Sequence, residues 1–181
     1  MAVSKVFNVD TQLATGIIIG STNPGTEFVL MYGAVNAGTE FNISAIRVGL
    51  YAGSSAYFPT NGTITWRLRK VSGTLLPAGG SSGTATANPI GQSTNSALSS
   101  WYFTTLANAT ATFSTQTGAV LWEQTTPCTA GANWGEWFTP GFEINCGPGQ
   151  AGAGTIALTY EYGAAGTSSA VNLFAGLVIS E

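Results

Sequence analysis

The chain contains no histidine. That absence removes the commonest general base, the usual nucleophilic triad and most transition-metal sites. With only two cysteines beside it, no four-ligand zinc site of the common kinds can form within one chain. Asp10 is the sole aspartate and lies far in sequence from the glutamates, so a hard cation finds few clustered carboxylates. No metal and no cofactor is therefore expected. Charged residues are also scarce, at 7% of the chain, against roughly a quarter in an ordinary soluble domain. Five basic residues and a net charge of -3 argue against nucleic acid, because phosphate binding needs Lys and Arg in numbers. No apolar run is long enough to span a bilayer. The start, MAVSKVFNVDTQLATG, lacks the apolar segment of a signal peptide. The expectation is a chain made in a cytoplasm and kept there, or carried out inside an assembly, with no membrane role.

What the sequence does hold is short alternation between turn residues. Its 181 residues suit one domain with one sizeable core. No window has a helical period, whereas apolar and polar residues alternate repeatedly between Gly, Pro, Asn and Ser. In Thr63 to Val71, Ile64, Trp66 and Leu68 fall on one face and Thr65, Arg67 and Arg69 on the other. Thr155 to Tyr162, Asn42 to Tyr51 and Val171 to Ile179 read the same way, the last with Phe174 and Val178 burying its second face. Shorter candidates are residues 16 to 19, 27 to 32, 101 to 105, 110 to 114, 119 to 124, 135 to 138 and 142 to 145. About ten short strands with no crossover helix predict an all-β fold, an antiparallel β-sandwich of jelly-roll type.

Two regions are expected to stand apart from a single sandwich domain over residues 16–181. Residues 1–15 read as an N-terminal arm, and residues 78–100 as a long Gly/Ser/Thr loop that a neighbouring subunit would order. The basic trio Arg67, Arg69 and Lys70 is expected to form a solvated face or to meet acidic partners.

The densest stretch is LWEQTTPCTAGANWGEWFTPGFEINCG, residues 121 to 147. Its residues Glu123, Glu136 and Glu143, with Glu161, could serve a glycosidase, which runs on two carboxylates alone. No motif places them together, and the expectation is a protein without catalysis. Cys128 and Cys146 could form a disulfide if the segment between them is a hairpin. A reducing compartment favours two thiols, with pairing only after release. GPGQAG at 147 to 152 spells a dinucleotide fingerprint but runs into the strand-like TIALTYEY rather than a helix, so it reads as a turn. Trp134, Trp137 and Phe138 are expected to supply packing or subunit contact, with a carbohydrate-stacking platform of Trp134 and Trp137 as the alternative. Thr139-Pro140-Gly141 is expected to turn a Trp-rich strand pair.

The order NISAIRVGLY, GTITWRLRKV, a Ser/Gly/Thr-rich excursion, AVLWEQTTPC, NWGEWFTPGFEINCGPGQ and TIALTYEY is similar to the small all-β virion proteins of tailed bacteriophages. Those are the cement or decoration proteins of capsids and related minor structural proteins, and the resemblance spans most of residues 27 to 180. It implies a jelly-roll-like structural protein of the virion, a homo-oligomer and usually a homotrimer. Such a subunit bridges the major capsid protein and stiffens the shell without catalysis. On this reading Val6, Phe7, Val9 and Leu13 of the arm are the candidate shell contact. The alternative is a carbohydrate-binding module of a fibre, spike or adhesin.

Overall fold

The structure, a computed structural model, describes residues 5–10, 17–18, 27–34, 40–52, 62–71, 82–85, 87–90, 100–104, 119–128, 133–141, 143–146, 155–162 and 170–181. These form thirteen strands and no helix. In chain order they are β1 (Val6–Asp10), β2 (Ile17–Ile18), β3 (Glu27–Ala34), β4 (Phe41–Ala52), β5 (Gly62–Val71), β6 (Ser82–Ala85) and β7 (Ala87–Pro89). Then follow β8 (Ser100–Thr104), β9 (Val120–Cys128), β10 (Asn133–Phe138), β11 (Ile144–Cys146), β12 (Thr155–Tyr162) and β13 (Ala170–Ser180). No helix among the described residues is long and apolar enough to cross a membrane.

The strands make two antiparallel sheets. The first runs β10-β4-β13-β1-β7, with β11 also on β4 and β2 also on β13; the second runs β6-β8-β3-β12-β5-β9. Alternation explains the packing between them. Ile46, Val48 and Leu50 of β4 and Leu173, Ala175, Leu177 and Ile179 of β13 point inward from the first sheet, and all are fully buried. Ile64, Trp66 and Leu68 of β5 with Leu158 and Tyr160 of β12 meet them from the second, giving one core of β-sandwich form. Trp66 donates its indole N–H to Thr126 Oγ1 at 2.8 Å, so its burial leaves no orphaned donor there. Phe174 and Val178 are only half-buried, since they stand on the outer face of β13.

Bulges reconcile imperfect alternation with a continuous core. The run Val29-Leu30-Met31 would break a strict period of two, and the pairing of β12 with β3 slips there, between Leu158 and Thr159. Leu30 is left without an opposite residue, and Phe28, Leu30 and Met31 all join the core cluster, while Val29 is buried opposite Thr159. Pro127 sits inside β9, where the missing N–H is harmless because β9 is the edge of its sheet.

Three expectations need correction. The presumed arm is a strand: Val6–Asp10 pairs with β13 on one side and β7 on the other, and Phe7 and Val9 are 0% exposed. The alternation of Phe7 and Val9 with Val6, Asn8 and Asp10 is what makes it one. Leu13 lies outside the described residues. The loop over 78–100 contains β6 and β7, which the chain orders itself, against β8 and β1.

The Pro-Gly sequence does not reverse the chain. Both β10 and β11 run antiparallel to β4, with Phe138 opposite Ile46 and Ile144 opposite Ile43. The chain therefore keeps its direction along one edge from β10 to β11. This also separates the cysteines. Cys146 pairs with Phe41 and Asn133 with Tyr51, ten residues along β4, which is about 33 Å of strand. Cys128 is five residues from Asn133, a reach of at most about 18 Å. That leaves at least about 15 Å between them, where a disulfide tolerates about 7 Å between Cα atoms. An intrachain Cys128–Cys146 bond does not form in this fold. The strand expected over 110 to 114 and the turn GPGQAG lie outside the described residues.

Candidate functional site

Two side-chain constellations stand out, one on the outer face of each sheet. On the second sheet, Arg67 and Arg69 of β5 point away from the core toward Glu27 of β3, Glu161 of β12 and Glu123 of β9. Arg67 Nε donates to Glu123 Oε2 at 2.6 Å, and its Nη1 to Glu161 and, at 3.4 Å, to Glu27. Arg69 Nε meets Glu27 Oε1 at 2.5 Å. The buried Thr159 hydroxyl donates to Glu27 as well. Burial works against the Arg67 charge; the hydrogen bonds to Glu161 and Glu123 and the charges of Glu161 and Glu27 outweigh it, and the guanidinium titrates above its ordinary value. The expected acidic partners of this basic strand are therefore present.

This cluster ties four adjacent strands together. Glu27 and Glu161 face each other directly across β3 and β12, a like-charge pair that would be unfavourable without the arginines. Of the four candidate acids for a glycosidase, Glu123 and Glu161 come together around Arg67, while Glu136 and Glu143 are exposed along the β10–β11 edge of the other sheet. Glycoside hydrolysis needs one carboxyl presenting a proton to the leaving oxygen. Both carboxylates here already accept from the same guanidinium. Among the described residues, no three of His, Cys, Asp and Glu gather into a metal site.

The second constellation lies on the first sheet. Trp137, Arg47, Gly176 and Asp10 are in register across β10, β4, β13 and β1. Because Gly176 carries no side chain, Arg47 reaches over β13 and its Nη1 meets Asp10 Oδ2 at 3.3 Å. Burial raises the Asp10 pKa above its ordinary value, and the Arg47 charge offsets only part of that. One step along the strands, Gly135, Gly49 and Phe174 are in register. A Cβ on Gly49 would lie 1.9 Å from Phe174 Cζ, and one on Gly135 2.6 Å from it. The Phe174 ring thus lies across β4 toward β10 in a trough that two glycines leave open. The Arg47 guanidinium stands 5.0 Å from the centroid of Phe174 and 5.7 Å from that of Trp137, cation–π distances in both cases. One further step brings Asn133, Tyr51 and Asn172 into register.

No protein-family model matches the chain, and no curated protein does. The candidate site therefore rests on geometry. Tyr51 is 46% and Trp137 49% exposed, so an aromatic strip is offered to solvent with a guanidinium fixed between two of its rings.

The strip is not the pair expected from the sequence. Trp134 and Trp137 are an odd number of residues apart on one strand and point to opposite faces. Trp134 turns inward, edge-on to Trp66 with centroids 6.3 Å apart, and Phe138 packs on Trp122 at 5.4 Å. These two are packing residues at the mouth of the core. Trp137 alone of the three faces outward, and its companions Tyr51, Arg47 and Phe174 come from segments the sequence reading assigned to core strands. Their signal was the interior glycines: Gly49, Gly135 and Gly176 all interrupt strands on the same face, which marks a close approach by something large.

Proposed function

We propose that this chain is a non-catalytic structural subunit of a virion, a capsid decoration protein with jelly-roll connectivity. The observation that carries the reading is the order of the eight principal strands. One sheet contains β10-β4-β13-β1 and the other β9-β5-β12-β3. Successive strands of this set change sheet at every step except β5 to β9, which are neighbours. That alternation is how a jelly roll wraps two Greek keys around one core. The charge distribution points the same way, since Arg67, Arg69, Glu27 and Glu161 are engaged with one another. A subunit of this kind works by contact, and a trimer gains from joining several copies of the major capsid protein at once. Phe7 and Val9 are core residues, so the shell contact falls to other surfaces.

Heads purified without this chain, incubated with the purified protein and sedimented, are expected to bind it saturably at a fixed number of copies. Light scattering of the free protein should give a trimer. Heads that sediment without it would overturn the assignment.

A further inference from the structure

We propose that the outer face of the first sheet is a binding strip for an uncharged, extended oligosaccharide. The strip runs from the Trp137 and Arg47 position, past Phe174 over Gly49 and Gly135, to Tyr51. Each step is two residues, or about 6.6 Å of strand, so the strip is roughly 13 Å long, the length of a short run of pyranose rings. A pyranose offers an apolar C–H face and a rim of hydroxyls. Half-exposed Trp137 and Tyr51 suit the faces. For the rim there are the Arg47 N–H groups, the Asp10 carboxylate and the exposed Asn133 beside Tyr51.

Charge selects among ligands. Arg47 is matched by Asp10 at 3.3 Å, so the strip has no net charge to offer phosphate, sulfate or an acidic peptide. Its neighbouring outward positions also distinguish a sugar from a protein partner. They include Gly49, Gly135, Gly176, Asn133 and Asn8, with Val178 and Ala45 following beyond Gly176 and Arg47. A protein–protein interface centres on packed apolar and aromatic anchors with few polar groups among them. The Phe174 ring, laid over Gly49 and Gly135, fills the trough that such an anchor would enter, and hydrogen-bonding groups stand beside it. The Phe174 ring and the Arg47 guanidinium are held in place before any ligand arrives, which lowers the ordering cost of binding.

The proposal is separate from head attachment, and its test keeps them separate. The probes are a glycan array and affinity electrophoresis through gels containing mannan, dextran or xylan, with heparin as the anionic control. The folded protein is expected to bind at least one neutral glycan. Trp137→Ala and Tyr51→Ala should each weaken that binding by about tenfold or more, and Trp137→Phe should recover part of it. Head binding should be unchanged by these substitutions, and both variants should still unfold in a single cooperative transition. No neutral-glycan binding by the folded protein, binding to heparin alone, or binding that survives both alanines would refute the proposal. Loss of head attachment in Trp137→Ala without any glycan binding would refute it too, and would make the strip a protein interface.

Discussion

Adding a single methyl group to Gly49 tests the trough directly. The new Cβ would stand 1.9 Å from Phe174 Cζ and 2.2 Å from Cε2, where 3.4 Å is ordinary contact. The ring must move by about 1.5 Å or more, which lifts it off the sheet. If that uncovers on the order of 50–100 Å² of apolar surface, the loss is about 1–2.5 kcal/mol. Weakening the contact with Arg47 adds about 0.5–1 kcal/mol. Against these, Ala suits a strand interior better than Gly by roughly 0.5–1 kcal/mol, so Gly49→Ala is expected to destabilise by about 1–2.5 kcal/mol. In a Phe174→Ala background the obstacle is gone and only the gain remains. There the same substitution should stabilise by about 0.5–1 kcal/mol. A double-mutant cycle in urea reads the coupling, expected near 2 kcal/mol. Equal effects of Gly49→Ala in both backgrounds would show that Phe174 does not lie where the trough places it.

Other perturbations follow from the same packing. Arg67→Met should cost about 3 kcal/mol, near the low end for breaking a buried pair because Glu123 is half exposed; adding Glu27→Gln and Glu161→Gln should restore most of it, and an unaffected urea midpoint in the single variant would contradict the network. Thr126→Val orphans the Trp66 indole N–H and should cost about 1–3 kcal/mol, read from the same midpoint. Asp10 has a pKa raised by burial, so its contribution to stability is fully present below the ordinary value of 3.8 and is lost as pH rises through the folded value. Asp10→Asn should therefore raise the melting temperature at pH 7 relative to the parent and leave it unchanged near pH 3. A drop at pH 7 would mean that the attraction to Arg47 outweighs burial. Reductant should leave the melting temperature of the protein unchanged, with Cys128 and Cys146 both alkylated under non-reducing, denaturing conditions.

Local alternation was enough to place the long strands. Ile64, Trp66 and Leu68, or Leu173, Leu177 and Ile179, announce their inward face in any window of a few residues. β1 escaped because five residues of mixed polarity near an end resemble an arm until a partner strand is known. β6 and β7 escaped because Ser, Gly, Thr and Ala carry almost no periodic signal, and their order comes from pairing with β8 and β1. The aromatic strip is a register effect. Tyr51, Trp137 and Phe174 share a face only once β10 and β13 are aligned on β4, and nothing within any one segment specifies that alignment. Arg67 and Arg69 show the middle case. Their alternation implied an acidic counterpart, and only the pairings of β12 with β3 and β5 reveal that it is Glu27 with Glu161.

The pairing of β1 with β13 also sets a timetable. Phe7 and Val9 find their places only against Ile179 and Leu177, and a ribosome adds roughly 5–20 residues per second. β1 therefore waits on the order of ten to thirty seconds for its partner, with two core side chains uncovered. Lys5 and Glu181 then exchange backbone hydrogen bonds at 3.0 and 2.8 Å, extending the pairing of these two strands. Such long-range closure slows folding. A nascent chain truncated before β13 would carry an unfinished edge beside β4, and a growing chain of this kind would need shelter during synthesis more than the finished protein does afterwards.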